Sequence, residues 1–251
     1  MTIDKIRFTT LPESNENLSD KSFNYWNNEE IEIKKKTYNV IEDYNNLLAS
    51  KKNIELKSHF ETFVKKFHID PGRKKILSVA SGVCWIEAIW FEKNNPDQFI
   101  GIDFSKNRIH KLAPIVFANH HSNYQINLIN GNIYDLNEGT EKFDIIILIK
   151  GFHHINDPVR LLKFLSGISH KETEIVIIGE HLFNFYNHVT RLLKHYGRYI
   201  LNHNNYRSSH SFFATYEDLF PPSILQGDNH YSKTNYYNIF DRSGSFDVEH
   251  F

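Results

Sequence analysis

Apolar residues along this chain fall into short solid runs and into spaced stripes, and the two kinds alternate. Ile76 to Val79, Phe99 to Asp103, Tyr124 to Ile129, Phe143 to Ile149 and Glu174 to Gly179 have the length and density of buried strands. Between them lie stretches with helical spacing. Trp85 to Phe91 is closed by Asn94-Asn95-Pro96. Ile109, Leu112 and Val116 follow Ser105, the expected N-cap, with a kink expected at Pro114. Leu161, Leu162 and Leu165 mark a third. Five strands separated by helices predict an α/β fold, a Rossmann-like parallel sheet with helices on both faces.

Ahead of the first strand, Val40, Ile41, Tyr44, Leu47 and Leu48 predict a helix within Ile31 to Leu48. Leu56, Phe60, Phe63, Val64 and Phe67 predict a second, stopping at Asp70-Pro71-Gly72. Residues 1 to about 29 are polar and aperiodic and read as a loose cap. Residues 1–70 are therefore taken as an N-terminal cap and 71–251 as the α/β domain. Past the fifth strand, Leu182, Phe185, Val189, Leu192, Leu193 and Tyr196 predict a long aromatic-rich helix. Asn202 to Asn229, with the breaker Pro221-Pro222, then reads as an insertion, so that 181–230 forms a lid over the site mouth. Ser232 is the expected cap of a helix through Tyr236, Tyr237 and Phe240 that stops at Gly244, and Phe246 to Phe251 reads as a sixth strand. A final antiparallel strand is absent from this reading. The sheet edge it would cover falls to the N-terminus or to a second copy of the chain, as in a homodimer.

Composition narrows the class. The 251 residues are 40% hydrophobic and 24% charged, with a formal net charge of -1, as in a globular protein without a general attraction for nucleic acid or an anionic membrane. No apolar run approaches the ~18 residues of a membrane span, and Met1 to Phe8 lacks the apolar core of a signal peptide. Cys84 is the single cysteine, so no internal disulfide forms and a reducing cytoplasm is the expected location.

The chemistry concentrates in Lys75-Ile-Leu-Ser-Val-Ala-Ser-Gly-Val-Cys-Trp-Ile-Glu87. A strand runs into the small-residue turn Ala80-Ser81-Gly82, a helix follows, and about 20 residues beyond Gly82 the next strand ends on Asp103. A small-residue turn lets backbone approach an adenosine closely, and an ionised Asp accepts from two vicinal ribose hydroxyls. A dinucleotide site would need Gly-x-Gly-x-x-Gly against the pyrophosphate. Only Gly82 is present, and no Gly-x-x-x-x-Gly-Lys-Ser/Thr occurs. The better ligand has a ribose and no phosphate.

At these residues the chain resembles the class I S-adenosylmethionine-dependent methyltransferases, over roughly residues 55 to 251. Three motifs carry the likeness in the same order: the Ser78 to Cys84 turn with Asp103 after it, Gly131-Asn132-Ile133, and Phe143-Asp-Ile-Ile followed by Gly-Phe-His-His-Ile-Asn-Asp-Pro158. The resemblance implies S-adenosylmethionine as cofactor, S-adenosylhomocysteine as its product, and a site made of Ala80, Ser81, Gly82, Asp103, Phe104, Asn132, Ile133 and Lys150. Asn132 would stand by the adenine amine. Three positions depart from the family's first motif: Ser78 replaces its strand-one acid, Ala80 its first glycine and Cys84 its third. Since that acid often orients the methionine ammonium, this contact is expected to differ.

An acceptor hydroxyl or protonated amine needs a base that titrates near neutrality, which suits histidine. His181, just past strand five, is the expected proton acceptor and His153 the alternative, with His154 expected to hold its loop. Phe183, Phe185 and Tyr186 would line an apolar pocket for a small-molecule acceptor. No metal is expected, because the histidines and the lone cysteine lack metal-ligand spacing. The other reading is a binding or scaffold protein that keeps the fold without transferring methyl groups. A nicotinamide-dependent reductase is disfavoured by the lost glycines, and base methylation by the missing Asn/Asp-Pro-Pro-Tyr.

Overall fold

The computed structural model describes residues 6–11, 45–46, 48–120, 124–136, 142–180, 193 and 233–244. They form a sheet of six strands: β1 (Ile6–Thr10), β2 (Lys75–Val79), β3 (Gln98–Asp103), β4 (Gln125–Asn130), β5 (Phe143–Ile149) and β6 (Ser169–Ile178). The order across the sheet is β1-β4-β3-β2-β5-β6, and every neighbouring pair runs parallel. The helices are α1 (Lys51–Lys66), α2 (Trp85–Phe91), α3 (Ala113–Asn119), α4 (Pro158–Gly167) and α5 (Lys233–Ser243). All five strands expected from the apolar runs are present.

Each central strand buries both faces. On one side Ile76, Phe99, Ile126 and Ile145 pack with Phe60 of α1 and Phe91 of α2. On the other Leu77, Ile100, Ile146 and Leu148 pack with Leu161 of α4 and Tyr236 of α5. That two-sided burial is why these strands are unbroken apolar runs rather than alternating ones.

The helix ends follow local chemistry. Ser50 Oγ accepts from the Asn53 amide at the start of α1, Asp157 Oδ1 accepts from the Arg160 amide at the start of α4, and Gly244 (φ 58) ends α5. The kink expected at Pro114 takes the form of a π-helical turn, Arg108–Leu112, directly before α3. Pro114 has no N–H to give to the carbonyl four residues back, and a widened turn absorbs the gap.

The N-terminus differs from its expectation. Ile6–Thr10 are not loose cap but edge strand, paired with β4 from Ile6↔Ile126 to Thr10↔Asn130. The strand is short and mostly exposed, so it shows no buried run. The Leu11 amide continues the ladder to the Asn130 carbonyl at 2.9 Å, and Leu11 seats against Gly131, where a methyl group would lie 2.7 Å from Leu11 Cβ. The expected helix within Ile31–Leu48, the aromatic helix and insertion of 181–230, and the strand Phe246–Phe251 lie outside the described residues, apart from isolated positions.

Candidate active site

The loops that leave the carboxyl ends of β2 to β6 share one edge of the sheet, on either side of the point between β2 and β5 where strand order reverses. Open α/β sheets bind ligands at that place.

The loop after β2 turns through three left-handed residues at alternate positions: Ala80 (φ 51), Gly82 (φ 56) and Cys84 (φ 56). A residue with a Cβ pays roughly 1–2 kcal/mol for that conformation, so the loop keeps a glycine-type path with two side chains aboard. The neighbours explain how. A methyl group on Gly151 would lie 2.9 Å from Ala80 Cβ, and one on Gly101 would lie 3.0 Å from Cys84 Sγ and 3.2 Å from Ser81 Oγ. The side chain gained at Cys84 occupies room that β3 leaves at Gly101. Gly101→Ala is therefore expected to destabilise the protein by about 1–3 kcal/mol. In a Cys84→Ala background the penalty should largely vanish, which chemical denaturation of the four-member mutant cycle measures.

Asp103 folds back over this loop. Its Oδ2 accepts from the Gly82 amide at 2.8 Å and its Oδ1 from the Ser105 amide at 2.8 Å. The expected cap by the Ser105 side chain is thus replaced by a carboxylate that binds the Ser105 backbone. Burial raises the Asp103 carboxyl above its ordinary range, opposed by the Arg108 guanidinium, the Ser105 and Gly82 amides and His154. Asn130 Nδ2 fastens the same corner, donating to the Asp103 carbonyl at 3.1 Å and the Phe104 carbonyl at 2.8 Å. The Gly131 amide adds a bond to the Asp103 carbonyl at 3.2 Å. Beyond it Asn132 Oδ1 accepts from the Tyr134 amide at 3.2 Å, capping the turn Ile133–Asp135. Ala80, Ser81, Gly82, Asp103, Phe104, Asn132 and Ile133 thus sit on three adjoining loops.

Across the switch point a second cluster joins β5 to β6. Glu180 Oε1 accepts from the Phe152 amide at 3.0 Å, and Oε2 from the His153 amide at 3.0 Å. His153 Nδ1 lies 2.6 Å from the same Oε2. His153 is 4% exposed, while His154 is only partly buried and its charge reaches Asp103. Through these bonds His153 helps to fasten the loop, a part expected of His154. Lys150 (φ 53) stands at the start of this loop, its amide bonded to the Ile178 carbonyl at 2.9 Å. Burial, helped by Lys52, lowers its ammonium below the ordinary lysine value. His181 lies outside the described residues. Among those described, no group of three or more His, Cys, Asp or Glu is placed to hold a metal ion, and no helix is long and apolar enough to cross a membrane.

A family model described as a methyltransferase domain matches residues 73–244. The chain belongs to the methyltransferase-domain family. Its sheet has the fold of the class I S-adenosylmethionine-dependent methyltransferases, the family its motif order resembles. Its solved structural neighbours share the architecture at low identity. The plantazolicin methyltransferase BpumL in complex with SAH is 16% identical, over 92% of this chain and 82% of that one, with a TM-score of 0.53. A proposed methyltransferase of Bacillus halodurans is 13% identical, over 75% of this chain and 69% of that one, also with a TM-score of 0.53. No curated protein matches.

The residues of this methyltransferase fit its cofactor. Each Asp103 oxygen has lone-pair capacity beyond its amide bond, and Ser81 Oγ is buried in the first loop beside Cys84 Sγ. Two groups of the site were not singled out from the sequence. Glu180, one residue past a strand end, had that position as its signal. Arg108 had none, because a basic residue in a helical stretch reads as solvated surface.

Proposed function

We propose that this methyltransferase binds S-adenosylmethionine across the loops after β2, β3 and β4. It would transfer the methyl group to an oxygen or nitrogen of a small molecule or peptide. The observation that carries the reading is the Asp103 carboxylate held 2.8 Å from the Gly82 amide. It supports the reading because an acceptor for two ribose hydroxyls then stands beside the loop that would back the nucleoside. Phe104 and Ile133 supply apolar walls, and Asn132 offers its amide to the adenine amine. Bound there, S-adenosylmethionine presents an electrophilic methyl on a sulfonium, and the protein has to align an acceptor and exclude water.

The proton of the acceptor goes to a histidine. Glu180 fixes His153 through Nδ1, and an ionised carboxylate there favours the tautomer that takes a proton at Nε2. His181, one residue past Glu180, is the other acceptor in this proposal. Lys150 stands by on the β5 side of the cofactor site. A small, partly apolar acceptor suits the aromatic-rich sequence of residues 181–230. It also suits the neighbour BpumL, one structure of which holds a pentazolic desmethylPZN analog together with SAH. Titration calorimetry with S-adenosylhomocysteine, with NAD as control, tests the reading. Micromolar binding of the first and none of the second is the expected result. Absence of S-adenosylhomocysteine binding would leave a methyltransferase-fold binding protein instead.

A further inference from the structure

The first motif lacks its strand-one acid, yet a carboxylate is present at the same point of the fold. Ser78 stands on β2 two residues before the left-handed loop, on the sheet face of Ile76. Its hydroxyl donates to Glu87 Oε1 at 2.6 Å. Glu87 comes from the first turn of α2, on the far side of the same loop, and is 3% exposed. Ser78 and Glu87 therefore bracket Ala80 to Cys84, with a buried carboxyl between strand and helix.

Among the described residues that carboxyl has no charge to answer it. Ser78 and the Glu87 amide are the groups that favour its ionised form, and no lysine, arginine or histidine among the described residues does so. The titratable group that faces it is Cys84, a thiol pushed well up by burial, by Glu87 and by Asp103. The α1 side chains on this face, Leu56, Phe60 and Val64, are apolar. An ionised carboxylate buried in that setting is costly unless a cation arrives. Glu87 is held against Ser78, two residues before the loop over which a nucleoside bound to Asp103 would lie.

We propose that Glu87 receives the ammonium of the cofactor's amino-acid end, so that this chain has moved its anchoring carboxylate from the strand to the helix and left Ser78 to hold it. This assignment rests on the nucleoside reading above and extends it to the other end of the same ligand. Glu87 is a binding and positioning residue: it fixes the donor and takes no part in moving the methyl group. Burial pushes its carboxyl up to about 7. Since only the ionised form attracts a cation, affinity should strengthen as pH rises through 7 and level off above it.

The test compares two ligands on one variant. Glu87→Gln keeps the geometry and the bond from Ser78, and thermal denaturation establishes that it folds. S-adenosylhomocysteine carries the ammonium, and 5′-methylthioadenosine has the same nucleoside without it. The variant should lose at least about 30-fold in affinity for the first, as when one partner of a buried charge pair is removed. Its affinity for the second should stay within about twofold, and the pH dependence between 5.5 and 8 should disappear. Equal S-adenosylhomocysteine affinity in wild type and variant overturns the proposal, as does an equal loss for both ligands. If wild type binds neither nucleoside, the fault lies with the cofactor reading itself. A Ser78→Asp/Glu87→Ser variant, which returns the acid to the strand, should recover most of the lost affinity. Its failure to do so, in a folded protein, would count against the exchange of positions.

Discussion

Replacing Asp103 with alanine is expected to weaken S-adenosylhomocysteine binding by a hundredfold or more. The carboxylate would accept from two ribose hydroxyls, and hydrogen bonds to a charged group contribute about 1.5–3 kcal/mol each, so losing both is a change of at least about 3 kcal/mol. The same substitution leaves the Gly82 and Ser105 amides without their acceptor, and an unsatisfied buried amide costs about 1–3 kcal/mol. Alanine should therefore lower stability as well as affinity. Asp103→Asn separates the two effects. It keeps one acceptor oxygen and removes a carboxyl that burial already disfavours, but leaves one of the two amides without an acceptor. It should therefore lose less stability than alanine, about 1–3 kcal/mol, and still lose more than about tenfold in affinity. Calorimetry beside thermal denaturation reads both quantities. An Asn variant that binds as tightly as wild type would reduce Asp103 to a structural cap.

The second large effect is expected at Glu180. Three donors converge on this carboxylate, the Phe152 and His153 amides and the His153 ring. Removing it as Glu180→Ala should cost about 3 kcal/mol or more in stability. Glu180→Gln keeps an acceptor for one of the two amides and no longer sets the charge and tautomer of the ring. Its turnover should fall by about a hundredfold, the usual contribution of a positioned acid–base group. Affinity for S-adenosylhomocysteine should change by less than about threefold, because the cofactor loops lie on the other side of the switch point. Steady-state kinetics with the true acceptor, set against calorimetry, gives the two numbers. A Gln variant with full turnover would confine Glu180 to holding the β5 loop and pass the proton to His181.

The central sheet was legible because a parallel strand buried on both faces leaves an apolar run that nothing else of that length imitates. The Gly82–Asp103 contact was legible too, since loops at neighbouring strand ends must meet whatever the intervening helix does. Other features hide for physical reasons. β1 is an edge strand whose residues Arg7 to Thr10 are exposed, and its pairing with β4 is set by contacts far along the chain. Glu87 lies in a helical stretch, where an acid reads as surface until its neighbour across the loop is known to be Ser78. Which of His153 and His154 meets Glu180 is set by contacts between the ends of β5 and β6, and the dipeptide alone carries no sign of that.

The position of β1 has a consequence for how ligands come and go. Ile6 meets Ile126, so this strand closes a longer stretch of chain than any other pair in the sheet, and such closures form late and open early. With so few of its side chains buried, it is the segment most ready to fray. Leu11 rides on its end and presses on Gly131, the start of the loop assigned to the adenine. If the loop at Gly131 holds the adenine as proposed, loosening of this margin would loosen that wall too, and nucleoside exchange should quicken in a variant that weakens the β1–β4 pairing.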